Sequence, residues 1–303
     1  MNMPDLWIIV TLLAAAFQTV RFMLQKVLAT STLSPAGATF SRFIYSAPFI
    51  ALLLLVYIQS TGASLPALDL RFWAFGLLGA VTQIIATVCM VALFKERNFA
   101  VGITFKKTEV MQTVLVGMLL LGELVSWGGF AAISLGLVGL FLLSGGKEAR
   151  GLHLSDLRNR AAGLGIASGI LFAFSAVSYR GASLTLATED PLLRAGVTLM
   201  TVVTMQTLIM LVWLYFRERG EIGAVWRARR VAVWIGLTSM AGSMCWFTAF
   251  TLQNAAYVNA LGQVEMIFSI FASTLFFKEK ITRREAMGMA ILVVSILLLI
   301  LAI

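Results

Sequence analysis

Two acidic residues stand inside long apolar stretches, Glu109 within 101–121 and Glu265 within 255–277. A carboxylate so placed can hold an ammonium group or exchange a proton. At a bilayer centre it costs about 2.5–3.5 kcal/mol on insertion scales unless it faces a cavity or a partner. The two are 156 residues apart, and the same offset relates Glu123 to Glu279, Cys89 to Cys245 and Pro35 to Pro191. One fixed offset that matches acids, the two cysteines and two prolines marks an internal duplication, with one buried acid in each half.

The basic residues inside apolar sequence are Arg21, Arg42, Lys106, Lys107 and Arg180. Against two buried acids they leave an excess of positive charge, which suits an anionic group such as a carboxylate. Arg21 and Arg180 lie near the ends of their stretches and are expected to snorkel to the interface, as is Lys107. Arg42 and Lys106 are the better candidates for a ligand. Lys106 lies three residues before Glu109 on the same helical face, so an ion pair that fixes packing is expected there. Glu265 has no basic neighbour within one turn, and Gly262, Ser269 and Ala272 on its face leave room beside it. It is therefore the acid expected to meet an amine or to titrate. Glu123 and Glu279 are expected to cap or pair at turns.

These residues need elements to hold them, and composition says which. The chain is 60% hydrophobic and 12% charged, about half the charge of a soluble domain, so it belongs in a bilayer. Apolar runs of about 20 residues cross the hydrocarbon as helices. Ten are predicted: 5–27, 35–58, 71–94, 99–120, 125–145, 161–184, 191–216, 230–251, 255–276 and 284–303. The alternation expected of a β-barrel is missing. Small residues every three to four positions, Ala161, Gly165, Gly169 and Ala173 in the sixth run and Ala132, Gly136 and Gly139 in the fifth, let helices approach closely.

Lysine and arginine cluster in the loops after odd-numbered runs, while the opposite side carries only Arg71 and Arg194. The positive-inside rule places the basic loops in the cytoplasm and both termini outside. Five spans per copy is an odd number, so the second copy is expected to be inverted. The expected fold is an all-α membrane protein of ten transmembrane helices in two inverted five-helix repeats, residues 1–146 and 161–303, joined by a cytoplasmic linker at 147–160. Inverted repeats of this kind place a substrate site near the midplane between the copies.

Other classes are excluded. The net charge of +9 lies in short loop clusters that set topology, so no nucleic-acid partner is expected. The single histidine, His153, lies in a polar loop, and no metal site is expected. Cys89 and Cys245, in apolar helices, are packing residues and not a disulfide. The first run lacks a basic start and is too long for a signal peptide. No Walker loop is present, so ATP is not the direct energy source. No catalytic set and no cofactor are expected.

Residues 104–123, TFKKTEVMQTVLVGMLLLGE, and 260–279, ALGQVEMIFSIFASTLFFKE, each carry an acid, an apolar helix with small residues, and a Glu at a turn. This pattern resembles the EamA-type repeat of the drug/metabolite transporter superfamily, over the whole chain. Within it the chain is most similar to the YddG-type aromatic amino-acid exporters. Members often have proline after the buried acid. Val110 and Met266 stand there instead, which removes the residue that would kink the helix.

The resemblance implies ten helices around a central cavity lined by spans 1, 3, 4, 6, 8 and 9. On those spans Gln18, Gln83, Tyr179, Trp246, Tyr257, Asn259 and Gln263 join Arg42, Lys106, Glu109 and Glu265 as expected substrate-binding residues. Polar groups would orient a head group while aromatics cover an apolar side chain. The expected function is a secondary transporter of a bacterial inner membrane, exporting small metabolites such as amino acids, aromatic ones included, by alternating access. Its partners would be the small-molecule substrate and the lipid bilayer. A functional monomer is expected, since one chain already holds both orientations. The rival readings are efflux of drugs or lipophilic cations, and a membrane-embedded lipid enzyme or scramblase.

Overall fold

The structure, a computed structural model, describes residues 3–94, 96, 105–144, 160–277 and 281–303. The predicted linker, apart from Arg160, and His153, Lys95, Arg97 and Glu279 lie outside the described residues. The described residues are helical: α1 (Met3–Ser31), α2 (Pro35–Thr61), α3 (Leu70–Leu93), α4 (Glu109–Leu121), α5 (Trp127–Ser144), α6 (Arg160–Thr185), α7 (Pro191–Arg217), α8 (Arg219–Arg227), α9 (Arg229–Leu252), α10 (Ala255–Gly262), α11 (Glu265–Phe277) and α12 (Arg283–Leu301).

The starts follow local chemistry. Ser34 and Asp190 cap α2 and α7, each with proline as the first helical residue. Asp69 and Asn254 cap α3 and α10, and Thr282 with Glu285 forms a capping box on α12. Each side-chain oxygen satisfies a backbone N–H that the first turn leaves open. The glycines past α2 and α4, Gly62 and Gly122, take φ of 68° and 67°, a conformation that costs glycine little and ends a helix.

Among the described residues seven helices are long and apolar enough to cross a membrane: Leu6–Ala29, Pro35–Thr61, Leu70–Leu93, Arg160–Thr185, Pro191–Arg217, Arg229–Leu252 and Arg283–Leu301. The other three expected spans are shorter, and one of them is broken. The described part of the fourth is α4, 13 residues, about 20 Å at 1.5 Å per residue. The fifth is the apolar stretch Trp127–Leu143. The ninth is broken into α10, 8 residues, and α11, 13 residues.

The breaks fall at equivalent points of the duplication, at Lys107–Thr108 and at Gln263–Val264. Both are turns that end on the first residue of a new helix, Glu109 and Glu265 respectively. The missing prolines were expected to leave these helices unkinked, and the structure corrects this. Backbone turn bonds, Thr108 N to Phe105 O (3.1 Å) and Gln263 N to Ala260 O (3.3 Å), replace the regular ladder. In each copy a carboxylate sits in the first turn, where the helix dipole favours negative charge.

Packing follows the duplication. The most extensive pairings are α3 with α6, α1 with α9, and α5 with α12. Exchanging the two copies turns the first pairing into the second and the third into itself. Contacts between loops sort by end of the bundle. Ser34 meets Glu218 (2.6 Å) and Glu221 (2.9 Å), and Glu96 meets Arg160 (3.3 Å). Tyr57 donates to Asp190 (2.6 Å), and Ser126 donates to the Ala302 carbonyl (3.3 Å).

Arg180 was expected to snorkel. It instead binds Glu123 (2.6 Å) and the carbonyls of Phe250 (2.7 Å) and Gln253 (2.8 Å), tying the ends of α4, α6 and α9. Cys89 and Cys245 are free thiols.

The small residues expected to bring helices together do so. A Cβ on Gly139 would lie 3.0 Å from the Gly288 carbonyl, where α5 crosses α12. On α9, a Cβ at Gly236 would fall 2.4 Å from Tyr45 Cβ and 2.6 Å from its carbonyl carbon, backbone that cannot yield. At Gly76 the nearest atom is the Met205 methyl at 3.9 Å. Gly236→Ala should therefore destabilise the protein by about 1–3 kcal/mol, read as a lower thermal midpoint in detergent, whereas Gly76→Ala should leave the midpoint unchanged or raise it.

Candidate functional site

The breaks aim both acids at one place. A cavity of about 60 Å³ is lined from α1 by Gln18, Arg21 and Phe22, from α2 by Arg42, and from α3 by Gln83. Lys106 and Glu109 reach it from the first break, Gly262, Gln263 and Glu265 from the second. Asn259 of α10 joins them, with Phe172, Ser175, Ala176 and Tyr179 of α6 and Ser243, Trp246, Phe247 and Phe250 of α9. That volume has room for on the order of four waters.

The acids are paired differently. Glu109 meets Lys106 at 2.7 Å within its own segment, as its spacing predicts. Glu265 is not open. Lys107, from the other half of the chain, reaches it at 3.0 Å, and Gln18 donates its amide N–H to the second oxygen. Lys107 is 2% exposed, so the expectation that it snorkels is corrected. A buried pair of this kind, with further hydrogen bonds on the carboxylate, repays the desolvation of both ions.

Gln18 extends the link. Its carbonyl oxygen accepts from Trp246 Nε1 (3.2 Å) and Arg21 Nη2 (3.3 Å). Arg21 also was expected at the interface. It is 3% exposed, donates to Gln25 Oε1 (3.0 Å), and its guanidinium lies 4.3 Å from the Phe22 ring centroid.

Arg42 is 5% exposed and donates to three hydroxyls, Ser239 (2.8 Å), Ser243 (3.3 Å) and Thr87 (3.4 Å). Thr87 and Ser243 are equivalent in the duplication, so one guanidinium is held by matching positions of the two copies. Among the described residues neither Arg21 nor Arg42 has a carboxylate within 4.0 Å.

Of the residues expected to bind substrate, Gln18, Arg42, Gln83, Lys106, Glu109, Tyr179, Trp246, Asn259, Gln263 and Glu265 line this one cavity. Tyr257 does not. Its hydroxyl accepts from the Ser126 backbone N–H (2.9 Å) at the start of α5, so it buttresses a helix end. Tyr179 donates to the Gly79 carbonyl (2.8 Å) and Gln83 (3.0 Å), and Gln206 donates to both Gln83 (2.8 Å) and Tyr179 (3.1 Å). Asn259 donates to Thr113 (3.0 Å).

Sequence reasoning missed Arg21, Phe22, Phe172, Ser243 and Phe250 in the lining, and Gln206 behind it. The spacing of Gln18 and Arg21, three apart on one face, was a signal for Arg21. Nothing in the sequence marked the phenylalanines among the chain's 21.

The Lys107–Glu265 pair should behave as a unit. Glu265→Gln strands a buried ammonium and should cost about 3–5 kcal/mol. Lys107→Met strands the carboxylate at similar cost. The double variant removes both charges and should recover most of the loss, as read by thermal unfolding of the purified protein.

The comparisons with known proteins agree with this architecture. No curated protein matches the chain. Among solved structures 28 chains match. One, a crystal structure, has a TM-score of 0.68 at 14% identity, covering 95% of this chain and 95% of its own, a likeness that speaks for the fold alone. The profile of the EamA-like transporter family matches twice, at residues 5–145 and 159–301. With the apolar helices, the duplicated breaks and a cavity between the copies, these two matches show that the chain belongs to the EamA-like transporter family and is a multi-pass membrane transporter of small substrates.

Proposed function

We propose that the chain exports small amphipathic metabolites, amino acids including aromatic ones, as YddG-type exporters do. One observation carries the reading: two buried guanidiniums with no carboxylate partner among the described residues share a cavity with five aromatic rings besides Tyr179. Arg21 and Arg42 offer forked donors to a substrate carboxylate. Phe22, Phe172, Trp246, Phe247 and Phe250 offer apolar walls to its side chain, the mix expected of a ligand pocket. Gln18, Gln83, Asn259 and Gln263 supply neutral polar groups. Efflux of lipophilic cations fits less well, because both acids already hold lysines.

The proposed architecture is ten spans in two inverted repeats, 1–146 and 161–303, in a bacterial inner membrane. The loop contacts support it. Ser34 with Glu218 and Glu96 with Arg160 join loops after odd-numbered spans, whereas Tyr57 with Asp190 and Arg180 with Glu123 join loops after even ones. Exposed Arg217, Arg219, Arg227, Arg229 and Arg230 lie around the short helix α8, on the side proposed as cytoplasmic. The termini then face the periplasm. End to end, α10 and α11 together reach about 30 Å, enough for one broken span.

Transport proceeds by alternating access, the two repeats rocking about the cavity, and a monomer suffices. A cavity of about 60 Å³ admits a few waters but not an aromatic amino acid, in keeping with a site that opens as the halves move. Proteoliposomes of the purified protein should show protein-dependent counterflow of labelled phenylalanine. Arg42→Gln should lower it at least about tenfold, the weight of a charged hydrogen bond. Absence of flux for every amino acid in a panel would overturn the substrate assignment.

A further inference from the structure

We propose that this cavity recognises its ligand by the carboxylate and the apolar group and not by the amine, so that it takes small aryl and alkyl carboxylates with or without an α-amino group. The inference rests on the transport reading above and redefines its substrate class by the carboxylate.

The charges at the cavity carry it. Arg21, Arg42 and Lys106 line the cavity with Glu109 and Glu265, and Lys107 lies against Glu265 just outside the lining, so the cluster carries an excess of two positive charges. The lysines take the acids, Lys106 on Glu109 at 2.7 Å and Lys107 on Glu265 at 3.0 Å. Gln18 occupies the other oxygen of Glu265. A substrate ammonium would have to displace Lys107 or Gln18 at Glu265, or share Glu109 with Lys106, inside a site already positive. A substrate carboxylate displaces nothing charged among the described residues, where the guanidiniums hold amides and hydroxyls, and it relieves the local excess. In low dielectric that difference is large.

For the amine the cavity keeps one neutral acceptor. Gln263 donates its N–H to the Asn259 carbonyl (3.2 Å), and its own amide oxygen is buried with no hydrogen-bond partner among the described residues. A single bond from the ammonium to this amide has one charged partner and is worth about 10–150-fold, whereas the carboxylate meets two guanidiniums, each able to donate in a forked pair and of opposite charge. A site built to bond a polar group rejects analogues that lack it far more strongly than a site that tolerates it.

Counterflow of labelled phenylalanine, with protein-free vesicles as control, should be competed by 3-phenylpropionate at a concentration within about tenfold of unlabelled phenylalanine. Phenethylamine, which keeps the ring and the amine, should need at least about 30-fold more. Phenethylamine competing as well as phenylalanine, with 3-phenylpropionate inert, would overturn the inference while leaving amino-acid transport in place.

Thermal shift of the detergent-purified full chain with the same two compounds keeps the inference open to test if phenylalanine is not carried at all. Stabilisation by 3-phenylpropionate alone supports it, and stabilisation by phenethylamine alone, or by neither compound, overturns it. Arg42→Lys should retain the preference for 3-phenylpropionate over phenethylamine and Arg42→Gln should reduce it at least about tenfold. An unchanged preference in Arg42→Gln, in a variant whose thermal midpoint shows it folded, removes Arg42 from the argument.

Discussion

The ion pair between Lys107 and Glu265 is the constraint on which the rest of the site depends. It joins residues 158 apart in sequence, one beside each break. Removing one partner would leave a charge in a medium that cannot solvate it. The pair therefore holds the first break of the chain against the second. Gln18 completes the carboxylate and passes the constraint to Trp246 and Arg21. A wall aromatic and a cavity cation thus take their positions from one ionic contact.

The breaks explain how such a pair can form. In a continuous helix Glu265 would begin nothing and its backbone N–H would be committed to the turn before. By starting a new helix it gains the favourable end of the dipole, and the turn at Gln263–Val264 brings it to Lys107. Glu109 does the same in the first copy. The two copies then diverge in partner: Lys106 lies within reach of its own acid, while the equivalent position in the second copy is Gly262. A Cβ at Gly262 would fall 2.2 Å from Trp246, so the position that carries a lysine in the first copy admits in the second the indole that lines the cavity.

Much of this was legible in the sequence. The constant offset located the duplication and paired Pro35 with Pro191, each of which begins a helix. Residue type and a family resemblance found ten of the lining residues. What was not legible has a common physical cause. The partner of Glu265 comes from the other half of the chain, so no local spacing could reveal it. Arg21 and Lys107 were expected at the interface because long side chains near helix ends can reach water. Burial among neighbouring helices removed that option. Tyr257 went astray in the opposite sense: its type suited a pocket, but its hydroxyl answers the open backbone N–H of Ser126.

Two acids satisfied by lysines and two arginines satisfied by neutral groups is a consequential division in so charge-poor a chain. An arginine paired to a carboxylate would be stable and closed to a ligand. An arginine with no partner at all would carry the full cost of a buried charge. Hydroxyl and amide acceptors lie between these limits. They satisfy the N–H groups, and they would compete weakly with a substrate carboxylate of the kind proposed. The arrangement also limits how tightly an anion is held, since each guanidinium keeps its neutral partners at hand to take back its donors. A carrier must release what it binds on the far side of the membrane. Moderate, reversible compensation of charge suits that requirement better than a site with a single committed counter-ion.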